Sequence, residues 1–194
     1  TFVATGCFRI SAFGLLSGLG FRSSDLQPVR ATPQVFTRSF EQPWVGDNCS
    51  GKTFSGSERN RSIAAMRIIG GTAGGRLLRV PKGYAVRPTP DLVKQALFNS
   101  LGPRVGGARV LELFAGSGAL GLECLSRGAT LVVAVEQASR HAAMIRQNLV
   151  AAGLPADRFE LRTQDVFPAL AQLGTAGRQF DLVLADPPFG EKNV

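Results

Sequence analysis

Cysteine, histidine, acid and long apolar runs are all scarce in this 194-residue chain. Its three cysteines, Cys7, Cys49 and Cys124, lie far apart, no two of them form C-x-x-C, and the single histidine is His141. That argues against a disulfide framework or a zinc site and fits a reducing cytoplasm, so no metal is expected. No run approaches the ~20 apolar residues of a membrane span, and no membrane partner is expected. Asp and Glu number 14 against 22 Lys and Arg, a net charge of +8. A basic surface suits an acidic partner, nucleic acid first, although a merely basic protein carries the same charge. The apolar share of 44% is enough to build the core of one ordinary domain.

The first acidic residue is Asp25. An acid-free opening is shared with transit peptides, and the apolar stretch Ile10–Phe21 resembles a signal h-region broken by Gly14, Gly18 and Gly20. Residues 1–65 are rich in Ser, Gly and Arg and have no sustained periodicity. They are expected to be a disordered or non-native extension. Met66, the first methionine, stands where regular patterning begins and is expected to be the native start of a domain covering 66–194.

From Met66 the pattern is regular. Arg67–Gly71 and Arg76–Pro81 read as two short strands joined by Thr72-Ala73-Gly74-Gly75, a hairpin. Its basic residues Arg67, Arg76, Arg79 and Lys82 suit phosphate contacts or a solvated face equally well. Thr89 is placed to cap a helix, with Pro90 in its first turn and Asp91 at the positive end of its dipole. Leu92, Val93, Ala96, Leu97, Phe98 and Leu101 supply an apolar face at helical spacing, and Gly102-Pro103 ends it. Strands are expected at Arg109–Leu113, Leu131–Val135, Phe159–Thr163 and Phe180–Ala185. Helices are expected at Ser117–Arg127, Ala138–Ala152 and, after Gln164-Asp165-Val166, to about Leu173. Cys124 falls in the first of these as a core residue, and His141 in the second as a surface or packing residue.

Strand–helix alternation with near-continuous apolar strands predicts a Rossmann-like, doubly wound α/β sheet of about four core parallel strands, preceded by the hairpin and a helix. In such sheets ligands bind at the carboxyl ends of strands. Glu112 with Gly116, then Glu136, Asp165 and Asp186 all fall at or just past such ends. Gly116-Ser117-Gly118-Ala119-Leu120-Gly121 matches G-x-G-x-x-G, a turn shared by more than one cofactor class. Glu136 ends the next strand, where a carboxylate accepts ribose hydroxyls. Asp165 is suited to an adenine amino group, so an adenosine-containing cofactor is indicated. Glu112, which interrupts the apolar run before the glycines, suits a cationic ligand. Asp186-Pro187-Pro188-Phe189 is a rigid turn without N–H groups at its prolines, with acceptors for an exocyclic amino group and a ring to stack on a base.

Glu112–Gly118 resembles motif I of class I S-adenosylmethionine-dependent methyltransferases. Asp186–Phe189 resembles the (D/N)PP(Y/F) motif of enzymes that methylate amino groups of nucleic acids. Arg67–Gly71, Arg87-Pro88-Thr89 and Ala96-Leu97-Phe98-Asn99 are similar to segments of the bacterial RsmD family, 16S ribosomal RNA guanine-N2 methyltransferases. The likeness covers about Met66 to Lys192.

The resemblance implies the class I methyltransferase fold and an activity, N2 methylation of guanine 966 during small-subunit assembly. It implies S-adenosyl-L-methionine as cofactor. Glu112, Phe114, Ala115, Gly116, Ser117 and Gly118 would hold its methionine part, Glu136 and Gln137 its ribose, and Asp165 and Val166 its adenine, with Asp186 beside it. Asp186, Pro187, Pro188 and Phe189 would orient the target amino group, and Arg67, Arg76, Arg79, Arg87 and Phe189 would meet the RNA. The implied partner is 16S ribosomal RNA in the assembling subunit, and the implied state is a cytoplasmic monomer. Because the family continues past the Asp186 motif, the chain is expected to lack roughly a third of the catalytic domain. The flank of its fourth strand is then expected to be exposed. Rival readings are adenine-N6 or cytosine-N4 methylation of DNA or other RNA, a nicotinamide-dependent oxidoreductase and a non-catalytic basic RNA-binding fragment.

Overall fold

The computed structural model describes the backbone of residues 2–10 and 26–37 and, with side chains, residues 66–80 and 91–187. The expected Thr89 cap, Pro90, Lys82, Arg87, Pro188 and Phe189 lie outside the described residues.

The strands are β1 (Phe2–Ile10), β2 (Leu26–Thr37), β3 (Arg109–Leu113), β4 (Leu131–Val135), β5 (Phe159–Arg162) and β6 (Gln179–Ala185). The helices are α1 (Asp91–Leu101), α2 (Ala119–Ser126), α3 (Ser139–Ala151) and α4 (Val166–Thr175). One sheet runs in the order β2-β1-β6-β3-β4-β5. β6, β3, β4 and β5 are mutually parallel, the doubly wound arrangement expected from the strand–helix alternation. Their inner residues are apolar on both faces because helices cover both faces. Val110, Val132, Leu182 and Leu184 pack with α1, α2 and the hairpin, and Leu111, Val133 and Val183 pack with α4. Val166, Ala169, Leu170 and Leu173 are the buried stripe of α4.

Three expectations need correction. Two stretches within residues 1–65 are strands of the sheet, so the expected disorder does not extend to them. β1 runs antiparallel along β6, with Phe2 opposite Ala185 and Arg9 opposite Gln179, so the flank of β6 expected to be exposed is paired. On α1 the buried residues are Lys94, Phe98 and Leu101, while Leu92 is 78% exposed and Ala96 is also exposed. Spacing misjudged that face because Lys94 is drawn inward by two oxygens, the Arg67 carbonyl and Asp91 Oδ1 at 3.1 Å.

The hairpin is held by the Ile68 N–H to the Arg76 carbonyl (2.9 Å) and the Leu78 N–H to the Met66 carbonyl (2.7 Å), around a single bridge pair, Arg67 and Leu77. What fixes it is α2. Glu123 Oε2 accepts the Ile69 N–H at 2.7 Å while Oε1 takes Arg127 Nε at 2.8 Å. The Ser126 hydroxyl donates to the Gly70 carbonyl at 2.6 Å and accepts the Ala73 N–H at 2.9 Å. Both side chains are buried, and their polar groups are satisfied by the hairpin backbone.

Candidate active site

β3, β4 and β5 succeed one another toward one edge of the sheet, and β6 returns to the other side of β3. The strand order therefore reverses between β3 and β6, where doubly wound sheets open a crevice at their carboxyl ends. Leu113 pairs with Val135 and with Ala185, so the residues just past these ends share one rim. The rim brings the glycine loop, Glu136 and Asp186 together.

The loop leaves β3 through Phe114, whose φ of 57° is left-handed. A bulky side chain rarely adopts that conformation, at a cost of roughly 1–2 kcal/mol. Its ring packs against the core on the α4 side of the sheet. Gly118, at φ 76°, turns the chain into α2; a Cβ there would also stand 3.0 Å from Ile145 Cγ2.

Glu136 ties loop to helix. One carboxylate oxygen accepts the Gly116 N–H at 2.7 Å, and the other accepts the Ala138 N–H at 2.9 Å and lies 3.4 Å from His141 Nδ1. It thus sits at the N-terminus of α3, whose dipole favours an anion. A carboxylate has about four lone-pair sites, so capacity for hydroxyl donors remains. Gln137 beside it is exposed.

Glu112 behaves differently. It is only 2% exposed, and its side chain lies beneath the start of α2, where a Cβ on Gly121 would stand 2.4 Å from Oε2. Burial pushes its pKa up to about 8; the Gly121 and Leu120 backbone N–H groups oppose the shift, and the charges of Glu136 and Asp186 add to it. Glu112, expected to hold the methionine part of a cofactor, thus sits at the foot of the loop. The carboxyl is enclosed by protein and supports the loop from below.

Asp165 caps α4, its Oδ1 accepting the Phe167 N–H at 2.8 Å, and its other oxygen remains for a second donor. The Val166 side chain is buried against the sheet. Asp186 is half-buried and Pro187 exposed at the end of β6. Among the arginines expected to meet RNA, Arg67 pairs with Asp91 at 2.8 Å and Arg79 reaches Gln147 Oε1 at 3.0 Å. Arg76 is exposed.

Sequence reasoning missed Asn148, Glu123, Ser126 and Lys94, all buried polar groups. Only Glu123 had a signal, an acid four residues before Arg127 within an apolar run. Cys124 is fully buried, which pushes its thiol pKa upward and makes it an inert core residue.

A family model described as Conserved hypothetical protein 95 matches residues 66–194. The chain belongs to this family. Among its relatives, the putative rRNA methyltransferase YlbH of Bacillus subtilis (strain 168) is 36% identical over 129 residues, 66% of this chain and 70% of that protein. The Ribosomal RNA small subunit methyltransferase D of Escherichia coli (strain K12) is 42% identical over 124 residues, 64% of this chain and 60% of that protein. The resemblance to the RsmD family drawn from the motifs is thus upheld. A solved structure of a hypothetical protein of Thermus thermophilus superposes with a TM-score of 0.59 at 33% identity, covering 65% of this chain and 71% of that one. The chain spans 60–70% of the length of these curated relatives.

Proposed function

We propose that this chain is the cofactor-binding part of an S-adenosylmethionine-dependent methyltransferase acting on the N2 amino group of a guanine in 16S ribosomal RNA, in the assembling small subunit. The carrying observation is the rim at the β3/β6 reversal, where a glycine loop anchored on Glu136 faces Asp186-Pro187. The names of its relatives, ribosomal RNA methyltransferases, agree with that reading.

The residues fit an adenosine cofactor with a cationic end. Glu136 has lone pairs left for ribose hydroxyls. Asp165 Oδ2 and the Val166 N–H suit the adenine edge. The loop Phe114–Gly118 supplies closely approaching backbone, and Gln137 lies exposed beside the ribose position. When bound, S-adenosylmethionine supplies an already activated methyl group on a sulfonium. The protein then has to position the acceptor and stabilise charge. The Asp186 carboxylate and the Pro187 carbonyl would accept the N–H groups of the target amino group, and Pro188 and Phe189, next in sequence, would stiffen the turn and stack on the guanine. Arg76 and Arg79, with Arg67 and Arg87, supply positive charge for the RNA backbone. The protein acts in the cytoplasm, where ribosomal subunits assemble, and as a monomer. Among the described residues no helix is long and apolar enough to cross a membrane.

Asp186→Ala is expected to lower methyl transfer to small ribosomal subunits roughly 100-fold or more, with cofactor affinity nearly unchanged. Undiminished transfer by that variant removes Asp186 from the mechanism. Methylation of duplex DNA with none of ribosomal RNA replaces the guanine-N2 reading with an adenine-N6 or cytosine-N4 one.

A further inference from the structure

Building on the reading that the glycine loop holds the cofactor and the hairpin meets RNA, we propose that Asn148 is a positioning residue that couples these two surfaces. Asn148 lies on α3 and is fully buried. Its Oδ1 accepts the Arg79 N–H at 2.8 Å. Its Nδ2 donates to the Arg79 carbonyl and to the Ser117 carbonyl, each at 3.1 Å. Arg79 lies on the second arm of the hairpin, and Ser117 is in the middle of the glycine loop. The first arm reaches the same loop residue, because the Ser117 hydroxyl points at Met66 Sδ, 3.1 Å away. Both arms of the hairpin therefore converge on Ser117.

The joint needs an amide. Asparagine offers one acceptor oxygen and two N–H donors on a short stem, and three hydrogen bonds use them here. Aspartate would set an anionic oxygen against two carbonyl oxygens. An apolar residue would leave one N–H and two carbonyls without partners in a buried place. Through this joint a cofactor that orders the loop also fixes the hairpin, and RNA that shifts the hairpin moves Ser117. Linkage requires each ligand to change the other's affinity by the same factor.

Hydrogen exchange of the full chain, with and without S-adenosylmethionine, tests this. In the unaltered chain the cofactor is expected to slow amide exchange at residues 114–118 and also at 76–80, the hairpin arm. In Asn148→Asp the loop stays protected and the effect at 76–80 disappears. In parallel, saturating 16S ribosomal RNA is expected to tighten cofactor binding about fivefold or more in the unaltered chain and not in Asn148→Asp. Loop protection without hairpin protection in the unaltered chain overturns the coupling, as does equal hairpin protection in Asn148→Asp. Should that variant fail to fold, Asn148→Ser, whose side chain is too short to bridge both carbonyls, is read in the same way. Absence of protection at the loop itself overturns the cofactor assignment, and the coupling with it.

Discussion

Glu112 is the residue whose chemistry departs furthest from its surface behaviour. Burial raises its pKa from 4.5 to about 8 in the folded protein, so folding takes up a proton between those values. Below pH 4.5 both folded and unfolded chains hold the proton, and the site carries no penalty. Between pH 4.5 and about 8 only the folded chain holds it, and stability falls as pH rises. Above that the full penalty, on the order of a few kcal/mol, persists. Glu112→Gln is therefore expected to be more stabilising relative to the unaltered chain at about pH 8.5 than at about pH 5, by several degrees in Tm. A difference in Tm that does not change with pH contradicts the buried, proton-holding carboxyl. The motif displayed Glu112 as a residue of the site, but not that its side chain lies beneath α2. Strand alternation sends it to that face, and only the packing of Gly121 and Val132 shows how closely it is enclosed. Asn148 was silent for a related reason: its partners lie 31 and 69 residues away and are backbone atoms, which no side-chain pattern records.

At the scale of elements, α2 must lie close on β3 for the loop between them to turn. Gly121 permits that approach, since a Cβ there would meet Glu112 Oε2 at 2.4 Å and Val132 Cγ1 at 2.9 Å. Gly121→Ala is expected to push α2 outward, lowering stability by about 1–3 kcal/mol in urea denaturation and weakening cofactor binding as the loop is displaced. Unchanged stability and affinity would mean that the helix has slack that the packing does not show. The four parallel strands were legible almost to the residue, with β3 and β4 as expected and β6 longer by Gln179 alone. Strands covered on both faces read as unbroken apolar runs, which is a strong local signal. α2 and α3 came out shorter, α2 beginning at Ala119 because Gly118 spends its left-handed φ on the turn, while α4 runs on to Thr175. α1 was legible as a helix but not in its orientation, since the Arg67 carbonyl and Asp91 draw a lysine inward. β1 and β2 were not read at all. Their pairing is non-local, Phe2 lying against Ala185, and an isolated stretch has no means of announcing such a partner.

Across the whole molecule, the reversal of strand order between β6 and β3 makes one rim out of residues far apart in the chain, the glycine loop after Glu112 and the turn at Asp186. The hairpin, α2 and α3 brace the loop side of that rim through Glu123, Ser126 and Asn148. The net charge of +8 fits a polyanionic substrate, as on the ribosomal RNA reading. The central claim is that this rim takes S-adenosylmethionine and not a nicotinamide dinucleotide, and calorimetric titration of the chain with each tests it most directly. Saturable binding of S-adenosylmethionine at one site, with no heat from NAD, is the predicted result. Binding of NAD alone, or of neither while the chain is shown to be folded, would contradict it.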